Sequence, residues 1–495
     1  MSKPNIIYIL ADDLGYGDVS CLNANAAFKT KHLDSLYENG LAFTDAHATS
    51  AVCTPSRYSI LTGRYNWRSR LKKSVLGGFS SALIEPGRMT AASYLQNQGY
   101  KTAAIGKWHL GMDFAKKPHF QEKPDFSESE AIAYDLPIKN APTDFGFDTF
   151  FGISASLDMP PYVYIENDRF TAVPKPPAKE GRGKQFYRQG LTAEGFDHHQ
   201  VLATLNQKVI SQIEAWKEEP FFIYYPMTAP HTPILPPDEY LGRSGTNEYG
   251  DFVLYMDDLV GDILQKLKDE DLFDNTLVIF TSDNGCSPMA DFDELKRCGH
   301  HPSYVFRGHK ADIYEGGHRI PLLIQWPAKI KGRQTSDDLV SLVDFFATLA
   351  DLLGTKPPDI YAEDSVSNLP IWLDQQNQYQ PRSLVQQSID GSLSLRKGPY
   401  KLVMCPGSGG WSWPESGKII PGMPAFQFFD LRQDISEQNN LALAHEHDEV
   451  IQEMKNELAD IVKNGRSTPG SALENNGEPV WDTVSWLESS TTSPQ

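Results

Sequence analysis

Ser50-Ala51-Val52-Cys53-Thr54-Pro55-Ser56-Arg57-Tyr58-Ser59-Ile60-Leu61-Thr62-Gly63-Arg64 is the stretch from which the rest of the chain can be read. Pro55 has no N–H and a fixed φ, so it suits the first turn of a helix. Thr54 before it is a candidate N-cap. The spacing predicts a helix over 56–61, stopped at Gly63. Cys53 then stands just ahead of a helix N-terminus, where free N–H groups and the dipole favour an anion. Arg57 follows four residues later on the same helical face. A cysteine beside an arginine at such a point is a candidate nucleophile, although a free cysteine by itself packs more often as a small apolar group.

Around this stretch, strands alternate with helices. Residues 5–11 read as a buried strand ending at Asp12-Asp13, and further strands are expected at 101–105, 221–225, 276–281 and 322–326. Helices are expected at 29–40, 89–98, 196–217, 251–268 and 339–353. This alternation predicts an α/β sheet layered between helices. Residues 113–145 read as a loop insertion and 158–195, rich in Pro, Gly and charge, as a surface excursion. Composition shifts near 365–380. Beyond it, 384–387, 392–396, 400–404 and 427–430 read as a meander, 445–463 as a closing helix and 465–495 as a polar tail that wraps the surface or stays mobile. A single core stops growing near ~250–300 residues, so 495 residues are expected to divide into an N-terminal domain, 1–375, and a C-terminal subdomain, 376–495.

The net charge of −19 argues against nucleic acid as a partner. It also means that an anionic ligand needs a local basic pocket. No apolar run reaches the ~18–20 residues that span a membrane, so no membrane partner is expected. Met1 to Asn5 leads straight into the first strand with no signal peptide as written. The expected location is periplasmic or secreted if a leader preceded this sequence, and intracellular otherwise. The oligomeric state is not legible. Five cysteines in a chain this long make no disulfide scaffold, although Cys286 and Cys298 are near enough in sequence to pair across a loop.

Active groups in open α/β sheets collect beyond the carboxyl ends of strands. There stand Asp12 and Asp13, Lys107 and His109, His231, and Asp283 and Asn284. Three carboxylates and an amide oxygen suit a hard divalent cation, calcium where coordination is loose and six- to eight-fold. Taken alone, Asp12-Asp13 and Asp283-Asn284-Gly285 read equally well as turns. Lys107 and His109, two apart, face the same side of an extended segment.

Cys53-Thr54-Pro55-Ser56-Arg57, followed by Leu61-Thr62-Gly63-Arg64, resembles the signature of the formylglycine-dependent sulfatases. Gly106-Lys107-Trp108-His109-Leu110-Gly111 resembles the second signature of that family. His231 within Ala229-Pro230-His231-Thr232-Pro233, Lys310 within Arg307-Gly308-His309-Lys310, and Glu315-Gly316-Gly317-His318-Arg319-Ile320-Pro321 follow its pattern. The resemblance implies an alkaline-phosphatase-like sandwich. It has a large mixed sheet between helices and a smaller C-terminal domain with a short antiparallel sheet and a helix. It implies that a maturation enzyme oxidises Cys53 to formylglycine, hydrated to a gem-diol. One Ca2+ would be held by Asp12, Asp13, Asp283 and Asn284 together with residue 53. Arg57, Lys107 and Lys310 would add positive charge. His231, assisted by Lys310, would protonate the departing alcohol, and His109 would act as base.

The implied substrate is a sulfated carbohydrate. The chain is similar to bacterial sulfatases that act on marine algal polysaccharides such as carrageenan. Arg68, Arg88, His300, His301, Arg307 and His318 are expected to read further sulfates, or else to serve as surface charges and structural ion pairs. Trp67, Trp411 and Trp413 stack on sugar rings or pack in the core. A broad arylsulfatase or a phosphonate monoester hydrolase would share the nucleophile, and only kinetics separates them. A catalytically silent sulfated-glycan binder would keep Cys53 unmodified.

Overall fold

The computed structural model describes residues 3–118, 128–177, 180–375, 379, 381–418 and 420–489. Among these residues the main sheet has ten strands. In chain order they are β1 (Asn5–Asp12), β2 (Gly40–Phe43), β3 (Lys101–Lys107), β4 (Thr149–Ile153), β5 (Ile165–Glu166), β6 (Arg169–Phe170), β7 (Phe221–Pro230), β8 (Thr276–Ser282), β9 (Leu322–Gln325) and β10 (Gln334–Ser336). The order across the sheet is β10-β2-β9-β8-β1-β7-β3-β4-β5-β6. The centre is parallel: β1 pairs with β7 and β8, and β3 with β7 and β4. β9 runs antiparallel to both β8 and β2, so the sheet is mixed.

The central strands are buried along their whole length because both faces are covered. Ile6, Tyr8, Leu10, Phe222 and Tyr224 point to one core, and Ile7, Ile9, Ile223 and Tyr225 to the other. The first core is closed by α2 (Cys53–Thr62), α3 (Ala91–Asn97) and α6 (Phe345–Leu352). The second is closed by α1 (Lys31–Glu38), α4 (Val201–Trp216) and α5 (Glu248–Asp269). Strands β11 (Leu384–Gln387), β12 (Leu393–Lys397), β13 (Tyr400–Val403) and β14 (Gln427–Asp430) form an antiparallel meander. Helix α7 (Asp448–Lys463) packs on it in a third core that also takes in Tyr65, Trp67 and Val343. Among the described residues no helix is long and apolar enough to cross a membrane.

Several boundaries differ from the sequence reading. The helix expected over 339–353 begins at Phe345. Before it, Val340–Ser341 is a short strand, and the Asp344 carboxylate holds a turn by accepting the Ser341 N–H at 3.1 Å. Gly40, expected to stop the helix over 29–40, instead opens strand β2. β4 was not foreseen at all. Cys286 is buried, Cys298 is exposed, and both are free thiols. Part of the 113–145 insertion, residues 119–127, and the tail beyond 489 lie outside the described residues.

Candidate active site

The carboxyl ends of β1, β3, β4, β7 and β8 meet at one point, and helix α2 aims its N-terminus there. Cys53 is the first residue of α2 and the extended Val52 is its N-cap. Thr54, expected as the cap, has another task. Its hydroxyl donates to the His109 carbonyl at 3.0 Å and accepts the Leu76 N–H at 3.2 Å, tying two loops to the helix start. Gly63 ends the helix at φ 63°, in the left-handed region.

Asp12 and Asp13 both serve the centre because the chain leaves the strand between them. Asp13 sits at φ 67°, which breaks the alternation that would send neighbouring side chains to opposite faces. His109 is likewise at φ 57°, so it reaches the site through a turn rather than along the extended segment expected for 107–109. Such backbone is sparsely populated by non-glycine residues and clusters at functional sites.

The charges interlock. The Arg57 guanidinium, fully buried, donates to Asp283 Oδ2 from Nε at 2.9 Å and from Nη2 at 2.7 Å, and to the Lys107 carbonyl from Nη1. Lys107 Nζ donates to Asp12 Oδ2 at 2.7 Å and to Ser156 Oγ at 3.3 Å. Lys310 Nζ donates to Asp13 Oδ2 at 2.8 Å, and Asn284 Nδ2 to Asp13 Oδ1 at 2.7 Å. Cys53 Sγ lies 3.6 Å from Asp12 Oδ1. Burial alone would push the Asp12 carboxyl up, but Lys107, His231, Arg57 and Lys310 together hold it far below the usual carboxylate range. Burial pushes Asp283 up, and Asp12 and Asp13 add to this against Arg57. Burial also raises the Cys53 thiol, so the unmodified side chain is a neutral thiol rather than a thiolate.

This donor set fits a hard divalent cation. Asn284 Oδ1 is buried with no hydrogen-bond partner, an unusual state for an amide oxygen. Asp13 accepts from the same amide group, Asp283 Oδ1 accepts the Asp13 N–H at 3.3 Å, and Arg57 contacts both Asp12 and Asp283, so three carboxylates share this centre. Ligand atoms of Asp12, Asp13, Cys53 and His231 also come within 4.8 Å of one another. Arg57, Lys107 and Lys310 only balance the three carboxylates, so a bound cation would turn the site net positive toward an anion.

The two histidines differ in where they can carry a proton. His109 Nε2 lies 2.7 Å from the Leu76 carbonyl oxygen, which can only accept, so Nε2 carries the hydrogen. Its Nδ1 is buried without a partner. Burial, with Lys107 and Arg57 nearby, pushes His109 well below the ordinary histidine range, so the ring is neutral and Nδ1 is a free lone pair. His231 is oriented the other way. Its Nδ1 donates to the Thr232 carbonyl at 2.5 Å, which leaves Nε2, 3.6 Å from Asp13 Oδ2, as the position where a proton comes and goes. Ser156 Oγ lies 3.3 Å from both His231 Nδ1 and Lys107 Nζ and links the two. Sequence reasoning missed Ser156, because it belongs to the loop after the unforeseen strand β4.

Cys53, His109, His231 and Lys310 line a cavity of about 520 Å³. Its outer wall is made by Met159, Phe186, Arg188, Met289 and Trp411. The basic residues expected to read the substrate do not line it. Arg68 is fully buried and donates to Asp364 from Nε at 2.7 Å and from Nη2 at 2.8 Å. Arg88 pairs with Glu85 and Glu363. His300 is buried between Asp18 and the Ala27 N–H. His318 is buried against His47 and Lys401. Arg307 lies over the Tyr314 ring and donates to the Glu437 carbonyl. His301 is exposed elsewhere. Charge at Arg68, Arg88 and Arg307 is used to hold segments together, which the sequence alone left as the alternative.

The chain is similar to known proteins along most of its length. A family model described as Sulfatase matches residues 4–355. The N-acetylgalactosamine-6-O-sulfatase of Bacteroides thetaiotaomicron is 34% identical, with 93% of each chain covered. A solved structure from work on glycosaminoglycan metabolism by Bacteroides thetaiotaomicron superposes with a TM-score of 0.79 at 32% identity, covering 93% of this chain and 99% of that one. A protein crystallised with k-i-k-neocarrahexaose superposes at 0.68, with 95% of each chain covered; at 22% identity it shares the fold alone. The fold is thus the alkaline-phosphatase-like sandwich.

Proposed function

The chain belongs to the sulfatase family, and from that premise we propose that it removes the sulfate ester of a carbohydrate, with a 6-O-sulfated N-acetylgalactosamine residue as its first candidate substrate. The observation that carries the reading is the opposed pair of histidines beside Cys53. One ring is neutral with an open lone pair, and the other has a nitrogen free to deliver a proton. Hydrolysis of an ester with a poor alcohol leaving group needs both groups.

Arg57, Lys107 and Lys310 hold the anionic ester and stabilise the negative charge that grows on it, at a depth where water does not screen them. His231 gives its Nε2 proton to the departing sugar oxygen. Lys310 donates a hydrogen bond to Asp13 beside it, and Ser156 lies against the ring. His109 Nδ1 accepts the proton released at position 53. The neutral Cys53 thiol is poorly suited to attack. Converted by a maturation enzyme to formylglycine and hydrated, position 53 supplies a nucleophilic hydroxyl and a second hydroxyl that lets sulfate leave without external water. When bound by Asp12, Asp13, Asp283 and Asn284 with residue 53, calcium supplies Lewis-acid polarisation of a sulfate oxygen.

The choice of sugar rests on the Bacteroides thetaiotaomicron relative, matched along nearly its full length. Carrageenan has less behind it, because the neighbour bound to a carrageenan oligosaccharide shares the fold alone and two of the expected polyanion readers, Arg68 and His300, are engaged inside the protein. The reading places the protein where sulfated glycans are met, in the periplasm or outside the cell. It is tested by sulfate release from 6-sulfated N-acetylgalactosamine, a carrageenan oligosaccharide, an aryl sulfate and a phosphonate monoester. The protein used should carry the aldehyde at residue 53 by mass spectrometry. Fastest turnover of the 6-sulfated sugar is expected. Turnover of the aryl sulfate or phosphonate alone would remove the carbohydrate assignment.

A further inference from the structure

Of the three tryptophans singled out in the sequence, Trp67 is buried in the core, whereas Trp411 is 45% and Trp413 66% exposed. Both belong to the loop between β13 and β14, which crosses from the C-terminal sheet to the segment that carries Lys310. The crossing is tightly fixed. Asp312 Oδ1 accepts the N–H groups of Trp411 at 2.8 Å and Ser412 at 2.9 Å, and Oδ2 accepts the Ser412 hydroxyl and the His309 N–H. The Ile313 N–H donates to the Ser408 carbonyl at 2.7 Å. A Cβ at Gly410 would lie 2.5 Å from the Ala311 carbonyl oxygen, so only glycine lets the loop approach this closely. Within the loop, Ser408 donates from its N–H to the Pro414 carbonyl and from Oγ to the Ser412 carbonyl.

A rigid loop therefore holds two large aromatic rings in water, and one of them lines the cavity that contains Cys53, His231 and Lys310. Core packing does not explain them. Met289, 39% exposed, lines the same cavity and extends the apolar rim. Trp offers a large flat contact with little rotamer entropy to lose, which suits it to binding. The sulfate-holding cations lie deep in the site and Arg188 on the outer wall is paired with Asp158, so the tryptophans add contact area without adding charge. A sugar ring matches such a surface, with an apolar C–H face and hydroxyl groups at its edge. Two residues of chain span at most about 7 Å, so the backbone of Trp413 lies within that distance of Trp411, the one of the pair that lines the cavity.

We propose that Trp411 and Trp413 form a second sugar subsite. It stacks the residue glycosidically joined to the sulfated one, so the enzyme prefers an oligosaccharide to the free sulfated monosaccharide. The proposal rests on the carbohydrate reading above. It is tested by calorimetric binding to the full-length Cys53→Ala protein, with 6-sulfated N-acetylgalactosamine and a tetrasaccharide bearing that residue at its end as probes. The tetrasaccharide is expected to bind about ten-fold more tightly than the monosaccharide. Trp411→Ala should bring the two within about two-fold, Trp411→Phe should restore most of the difference, and Trp413→Ala should lower it. The difference should also persist at high salt, because stacking is uncharged. Equal weakening of both probes by Trp411→Ala, or no change in their ratio, would overturn the subsite and leave the carbohydrate reading intact. Failure of the parent to bind either glycan, with aryl sulfate still hydrolysed by the matured enzyme, would remove the carbohydrate reading and the subsite with it.

Discussion

His109 and His231 face carbonyl oxygens through different ring nitrogens, and this difference assigns their work. Replacing His231 by Gln keeps polarity but removes the proton donor. Turnover of a sugar sulfate should fall by about 10²–10⁴-fold, while an aryl sulfate with a good leaving group should lose far less; kcat for the two substrates checks this. A uniform loss would show that His231 acts in binding instead. The orphaned Asn284 Oδ1 carries a second prediction. A chelator should abolish turnover and calcium restore it, and Asn284→Ala should raise the calcium needed for half-activity by roughly ten-fold or more. Activity indifferent to both would exclude the cation site. Most of these residues were legible because each sits in a short motif with its neighbours. Ser156 was not, since a serine after an unrecognised strand carries no local signal.

At the scale of elements, helix α1 shows what local sequence does not reveal. Thr30, at its N-cap position, makes no side-chain cap. Asp257, from the middle of α5, does the capping by accepting the N–H groups of His32 and Leu33. Burial outweighs these two donors and pushes Asp257 up to about 7. The unfolded chain releases that proton near about pH 4. Between these values the folded state binds more protons, so this group's contribution to stability falls as pH rises from about 4 to about 7. Asp257→Asn should flatten that part of the profile in urea unfolding measured at several pH values; an unchanged slope would contradict it. The same blindness to partners distant in sequence explains the misread ends. Pro55 and Gly63 marked helix α2 correctly, whereas Thr54 looked like a cap because its real partners, His109 and Leu76, come from other loops.

For the whole molecule, the buried β1, β7 and β8 and their carboxyl-end residues were legible, because apolar runs and motif residues are local. The uses of the basic residues were not, because Arg68 meets Asp364 across nearly 300 positions. That pair sits where the main sheet's helices join the C-terminal sheet, beside Arg64–Glu363 and Arg382–Asp344. Arg68→Ala leaves a buried carboxylate unpaired and should destabilise the protein by about 3–5 kcal/mol, read from denaturant unfolding. A near-neutral result would mean that Arg68 is free for substrate after all. In the function proposed above, this constellation hydrolyses sulfate esters through a modified residue 53. The measurement that tests it most directly is sulfate release against the fraction of residue 53 in the aldehyde form, across preparations matured to different extents. The rate should be proportional to that fraction and vanish with it. A rate independent of the modification, or one retained in Cys53→Ala, would contradict it.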